Sequence, residues 1–423
     1  MQQLVRLPGS PDPAAARKGL VFLVVGLVLV LLGQLVEWYQ ERDVVTGAHG
    51  ALPTAFGTAA PSAPSHVTRH STGAEALVHG LSIESTNSGV RVLNLRTENE
   101  YWRYERRDDG ADMPVVAVSA GTVVAWFGDG RLVGIDLRSG KVRWRTDFSR
   151  DGFQSVHLGD GQVVAQSPGG VAAFSERDGK QLWTLKVPRS CAHPLPWAVH
   201  DLPEHLTAVE LGCRSSDGED VVIGVDNRTG RVLWKRAVQQ ELFKADDDTL
   251  VAVAPGARTG RGRPATVQVL DVGRKGARLR AEFSSDSWAP DDAGDGVIVS
   301  STDPEDPLNG DPTVLTAYDT QSGKRAWEHP AASGHVFGFS EIADGRVYVV
   351  QFPAVSEGDR GRVLHPELLV LDARSGDLLH TLRLPKMTVP LNTDLATFVV
   401  NAAADGVISV SWLEERHGVL LVT

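Results

Sequence analysis

An eleven-residue segment returns about every 46 residues between Asn94 and Asp372. Four copies align without gaps: GIDLRSGKVRW at 134–144, AFSERDGKQLW at 173–183, GVDNRTGRVLW at 224–234 and AYDTQSGKRAW at 317–327. VLNLRTENEYW at 92–102 keeps the frame, with Asn94 in place of Asp and Glu98 in place of Gly. VLDARSGDLLH at 370–380 ends in His380 where the others carry Trp. A further copy around Asp271 has one extra residue and lacks the aromatic. A period of this length marks an array of small units, each burying its apolar face against the next.

Each position of the segment has a structural reason. Two apolar residues lead into Asp136, Asp226, Asp319 or Asp372, which closes a strand and offers its carboxylate to the N–H groups of the following turn. Gly140, Gly179, Gly230, Gly323 and Gly376 supply the positive φ of a short hairpin. Four residues later, Trp102, Trp144, Trp183, Trp234 and Trp327 fall on the returning strand, five of the ten tryptophans at one slot. A large flat ring there packs on the neighbouring unit while its N–H finds a backbone acceptor. His380 is expected to be a packed variant of that slot.

Upstream of the segment come short apolar runs opened by turn residues, such as TVVAW at 122–126 and RVYVV at 346–350. Four short strands per unit, six or more units and no helical period beyond the first forty residues predict an all-β fold, a β-propeller. Residues 114–384 give six full units. Joining GVRVLNL and EYWRYER near residue 100 to the strands of 394–423 closes a ring at seven blades, the favoured count. If the two ends form separate blades, the count is eight.

The Asp-x-x-[Ser/Thr]-Gly-x-x-x-Trp hairpin resembles the PQQ-like propeller repeat. That repeat is found in quinoprotein dehydrogenases and in non-enzymatic scaffolds of the BamB kind. The likeness covers roughly residues 76–423. It implies a rigid disc for protein binding or scaffolding. A ligand-sensing ectodomain and a PQQ-dependent dehydrogenase with calcium at the axis are the alternatives. Such dehydrogenases carry adjacent cysteines over the quinone. Here Cys191 and Cys213 are far apart in sequence, so no cofactor is expected.

Residues 19–36, GLVFLVVGLVLVLLGQLV, carry no charge. As a helix they span roughly 27 Å, near the ~30 Å of a hydrocarbon core. Arg6, Arg17 and Lys18 precede them, and Glu37, Glu41 and Asp43 follow, which places residues 1–18 in the cytoplasm and the rest outside. A bacterial single-pass membrane protein is expected, with 19–36 as an uncleaved anchor, 37–75 as a flexible Pro/Ala/Ser/Thr linker and 76–423 as the propeller. In an oxidising compartment, Cys191 and Cys213 are expected to form a disulfide, with free thiols and a metal site as the alternatives. With 42 Lys+Arg against 53 Asp+Glu, the chain has no basic footprint for nucleic acid. The expected partner is an envelope or secreted protein.

Of the remaining chemistry, Asp286, Asp291, Asp292 and Asp295 lack the ligand pattern of a calcium loop and read as solvated turns. No metal site or catalytic residue is assigned.

Overall fold

Every Asp-Gly hairpin of the repeat becomes the link between the third and fourth strands of an antiparallel sheet. The computed structural model describes residues 43–70, 76–106, 113–149, 155–187, 191, 199–213, 220–238, 241–254, 265–285, 290–302, 311–355, 362–388, 397–412 and 419–423. Their strands form eight sheets of four or five strands and one two-stranded pair. In chain order, the first seven sheets are built from residues 76–105 (with Val44–Thr46 added at its edge), 115–147, 155–185, 199–238, 241–284, 292–330 and 335–383. The eighth joins Phe398–Ala404, Val407–Trp412 and Val419–Val422 to the N-terminal strand Val67–His70. The first strands of successive sheets lie side by side around a central axis, and apolar clusters fill the spaces between the sheets. The ring closes on a small cluster of Leu95 and Val407, with Phe56 and Leu77 packed against it.

Two expectations change here. Gly89–Asn94 and Glu100–Glu105 do not share a sheet with residues 394–423, the joining that led to a count of seven; they pair with Leu81–Thr86 in the first sheet. The strand completing the last sheet is Val67–His70, whose run of Val-Thr-Arg-His carried no repeat signature. Residues 43–70, expected as part of a flexible linker, instead form a strap along the sheet ends. Val44–Thr46 adds a strand to the edge of the first sheet. The Phe56 and Gly57 N–H groups then donate to the Asp405 carbonyl, Ala60 N–H to the Asp344 carboxylate, and Ser65 N–H to the Thr423 carbonyl. Proline-rich backbone has few donors of its own, so its order comes from these contacts with distant residues. The apolar run 19–36 lies outside the described residues, among which no helix is long and apolar enough to cross a membrane.

Candidate functional site

The repeat residues assemble into joints between sheets. Asp136 Oδ1 accepts the Ser139 N–H at 2.8 Å and its hydroxyl at 2.7 Å, and Asp319 does the same with Ser322 at 2.7 and 2.6 Å. Asp226 holds Thr229 likewise, and its other oxygen meets the Arg274 guanidinium, which holds the carboxyl down at about 2. At Asp372 the Ser375 N–H lowers the carboxyl pKa. Gly140, Gly179, Gly230, Gly323 and Gly376 all have φ between 66° and 73°. In the first copy, Asn94 accepts the Arg96 N–H, and Glu98 takes the glycine position with φ 58°.

The tryptophans reach forward to the next sheet. Trp102 Nε1–H donates to the Leu137 carbonyl at 2.7 Å. Trp144, Trp183, Trp234 and Trp327 donate to the carbonyls of Glu176, Asn227, Gly273 and Ala373, each at 2.8 Å. For Trp102, Trp144, Trp183 and Trp327 the motif glycine of that next sheet lies under the ring. A Cβ on Gly179 would come 2.6 Å from Trp144, and one on Gly376 2.6 Å from Trp327. Glycine therefore answers two demands, the turn and the indole of the preceding sheet, and only the first was readable in sequence. In the copy around Asp271 the slot holds Ala281, and Phe283, two residues on, packs over Gly323. His380 donates from Nε2 to the Pro64 carbonyl at 2.8 Å, because the strap occupies the place of the next hairpin.

A second set of joints escaped the sequence reading. Asp295, Asp344 and Asp405 sit in tight turns with φ near 50°, each followed by a positive-φ glycine. Their carboxylates accept N–H groups of Gly345, Ala60 and His79 at 2.6 to 2.8 Å, tying neighbouring sheets together. The Asp-Gly dipeptide was the available signal.

Several polar groups lie on the first strands of the sheets. His157 Nε2 lies 3.1 Å from the Asp201 carboxylate across two inner strands. Gly159 leaves room for that carboxylate: a Cβ there would stand 1.2 Å from Oδ2. The half-buried His200 ring meets the Leu242 carbonyl, and desolvation pushes its pKa down to about 4. Asp291 and Asp292, expected in solvated turns, are instead half-buried between the sixth and seventh sheets; Asp286 lies outside the described residues. Asp291 accepts the hydroxyls of Ser301 and Ser340, and Asp292 accepts the Ile342 N–H at 2.7 Å. Burial pushes Asp291 up to about 7 and raises Asp292 and the facing Glu341 as well.

The sign of the resulting pH dependence is fixed. A carboxyl whose folded pKa is raised stabilises the fold at low pH, and that contribution is lost as pH rises through the folded value, by about 1.4 kcal/mol per group per unit. His200, lowered from 6.5, acts the other way, but only below pH 6.5. Charged neighbours at this end of the axis are Asp246, Asp295, Asp344 and Arg346. The melting temperature is therefore expected to fall between pH 6.5 and 8, and Asp291→Asn should flatten that fall. A profile that rises over this range would contradict the assignment.

Cys191 and Cys213 form the expected disulfide and pack on the cluster between the third and fourth sheets. Among the described residues, no group of three or more His, Cys, Asp or Glu side chains is arranged to hold a metal ion. Two cavities lie at the sheet ends. One, of about 440 Å³, is bordered by Asp246, Asp295, Asp319 and Arg374. The other, about 320 Å³, lies at the ring closure between Phe56, Thr68, Leu95 and Val407.

With these joints repeated around the ring, the chain can be set against known proteins. The family described as outer membrane protein assembly factor BamB matches residues 86–303 and, in a second overlapping pass, 218–411. The chain belongs to this family. The BamB protein of Burkholderia pseudomallei (strain K96243) is 25% identical over 277 residues, 62% of this chain and 66% of that protein. The match thus spans just under two thirds of that relative. Among solved structures, BamB from Moraxella catarrhalis has a TM-score of 0.51 at 12% identity, covering 85% of this chain and 99% of its own. The C-terminal WD40 domain of Sif2 gives 0.55 at 12%, over 85% and 98%, and the computationally designed Ika8 protein gives 0.53 at 12%, over 89% and 100%. At such identities these likenesses show the fold, and the BamB assignment rests on the family match.

Proposed function

We propose that this protein is a non-catalytic binding or scaffolding module of the bacterial envelope. In this reading its eight sheets are eight blades, held outside the cell membrane by residues 19–36. The observation that carries it is the use of the repeat residues. Where the copies carry them, Asp and Gly close the hairpins and Trp joins its sheet to the next, which leaves the loops and disc faces for partners. Membership of a family described as an outer membrane protein assembly factor points to protein partners in the envelope. The disulfide fits an oxidising space outside the membrane. No cofactor is assigned.

The test is crosslinking in intact cells, followed by membrane solubilisation and mass spectrometry. A defined set of envelope proteins should be captured, and a reporter active only outside the membrane should work when fused after Thr423 but not before Met1. Capture of cytoplasmic proteins, or the reverse reporter pattern, would overturn the reading. Quinone-dependent dehydrogenase turnover on adding PQQ and calcium would replace it with an enzyme.

A further inference from the structure

Each sheet has two ends. At one, the hairpin end, lie the repeat hairpins and the turns between first and second strands. At the other, the connection end, lie the turns between second and third strands and the links from sheet to sheet. The strap starts at the connection end: Val44 pairs with Glu105, and Arg106 just beyond donates its N–H to the Ser88 carbonyl, in the turn between second and third strands. It then runs along the outer edge of the first sheet to the hairpin end. There the Ala48 N–H meets the Ser139 carbonyl, and residues 56–66 cross the neighbouring sheets.

The starting point is fixed. The Asp43 carboxylate accepts the Tyr104 hydroxyl at 2.7 Å and the Arg145 guanidinium at 2.6 Å, which pins Asp43 to the first two sheets. Only residues 37–42 separate it from the apolar run 19–36. Read as the anchor proposed above, that run sets Trp38 and Tyr39 at headgroup level, where such aromatic side chains settle. From Tyr39 to Asp43 there are four Cα steps, at most roughly 14 Å of chain. Strands of six residues separate the two ends of a sheet by roughly 20 Å, at ~3.3 Å per residue. With the hairpin end toward the membrane, Asp43 would stand farther from the headgroups than the chain can reach.

The connection end suits a lipid surface. Met113, 61% exposed, lies there with the exposed Val115 and Val363. Two guanidiniums at this end are neutralised within the protein, Arg106 by Asp129 at 2.8 and 2.9 Å and Arg131 by Asp147 at 3.3 Å. No anionic lipid is needed to balance them. We infer that the ring rests with its connection end on the lipid surface, Met113, Val115 and Val363 toward the headgroups, and turns the strap and the repeat hairpins outward to partners. The cavity bordered by Asp246, Asp295, Asp319 and Arg374 then opens away from the membrane. The inference rests on the reading of residues 19–36 as an anchor.

The test uses the full chain in phosphatidylcholine vesicles that carry a nitroxide on a fraction of the headgroups. Cys191 and Cys213 are paired, so a fluorophore goes to one new thiol at a time: Met113→Cys, Val363→Cys, or Arg138→Cys at the hairpin end of the second sheet. All three side chains are exposed, and Val115→Cys replaces Met113→Cys if thermal melts show the latter unfolded. Loss of most of the fluorescence is expected at 113 and 363, with little loss at 138. Quenching at 138 as strong as at 113 or at 363 would overturn the facing. Flotation of the same vesicles tests the anchor separately. Protein that does not float overturns the anchor reading and the facing with it, whereas floating protein with the wrong quenching pattern overturns the facing alone.

Discussion

Trp144→Ala is expected to destabilise the protein by about 3–5 kcal/mol, the range for deleting a large aromatic from a packed core. Trp144 is 7% exposed and fills the space between the second and third sheets beside Trp126, Leu158 and Phe174. Its loss opens a cavity lined by β-sheet backbone that cannot collapse, because both sheets are fixed by their other neighbours. It also leaves the Glu176 carbonyl without the indole donor it now has at 2.8 Å. Trp144→Phe separates the two effects: it keeps most of the ring and removes the N–H, which should cost about 1 kcal/mol. Denaturant melts of purified protein without partner provide the check. If Trp144→Ala melted like wild type yet lost partner binding, the joint would be a recognition site and the structural account would fail.

Gly230→Val is expected to cost a similar amount by a different route. The residue has φ 68°, a conformation that costs a β-branched side chain roughly 1–3 kcal/mol. Its new Cβ would also lie 2.7 Å from the Trp183 side chain, so the ring must leave its groove or the hairpin must shift. Overpacking of this kind adds typically 1–3 kcal/mol. The two contributions separate in a double-mutant cycle. In a Trp183→Ala background, Gly230→Val should retain the backbone cost and the contact with the remaining Cβ of residue 183, and lose only the contact with the ring, a coupling of about 1 kcal/mol. Strict additivity of the two substitutions would refute the ring-over-glycine joint. Glu98 is nature's version of this experiment: a side chain is accepted at the glycine position of the first sheet, where the preceding sheet ends in Val67–His70 and offers no tryptophan.

The joints at the axis were less legible than those at the rim. Asp291 and Asp292 resemble an acidic surface turn in sequence because enclosure is a property of how the sixth and seventh sheets meet. The raised pKa of Asp291 comes from burial that no local spacing encodes. Asp405 reads only as half of an Asp-Gly turn, and that its carboxylate holds the His79 N–H depends on the ring having closed.

By itself the sequence determined the all-β class, the repeating unit, the Asp-Gly hairpins, the aromatic slot and the cysteine pair. Each of these is set within one unit of the repeat or by its period, where residue type and spacing dictate backbone conformation. The tertiary structure decided how the ends meet. Val67–His70 completes the last sheet by pairing with Val419–Val422, and the backbone of residues 56–66 is tied down by Asp344, Asp405 and Thr423. Those contacts join residues some 280 to 360 positions apart. A strand with open hydrogen-bond donors pairs with whichever edge the closed ring places beside it, so the partner of Val67–His70 is not visible until every other sheet is in place.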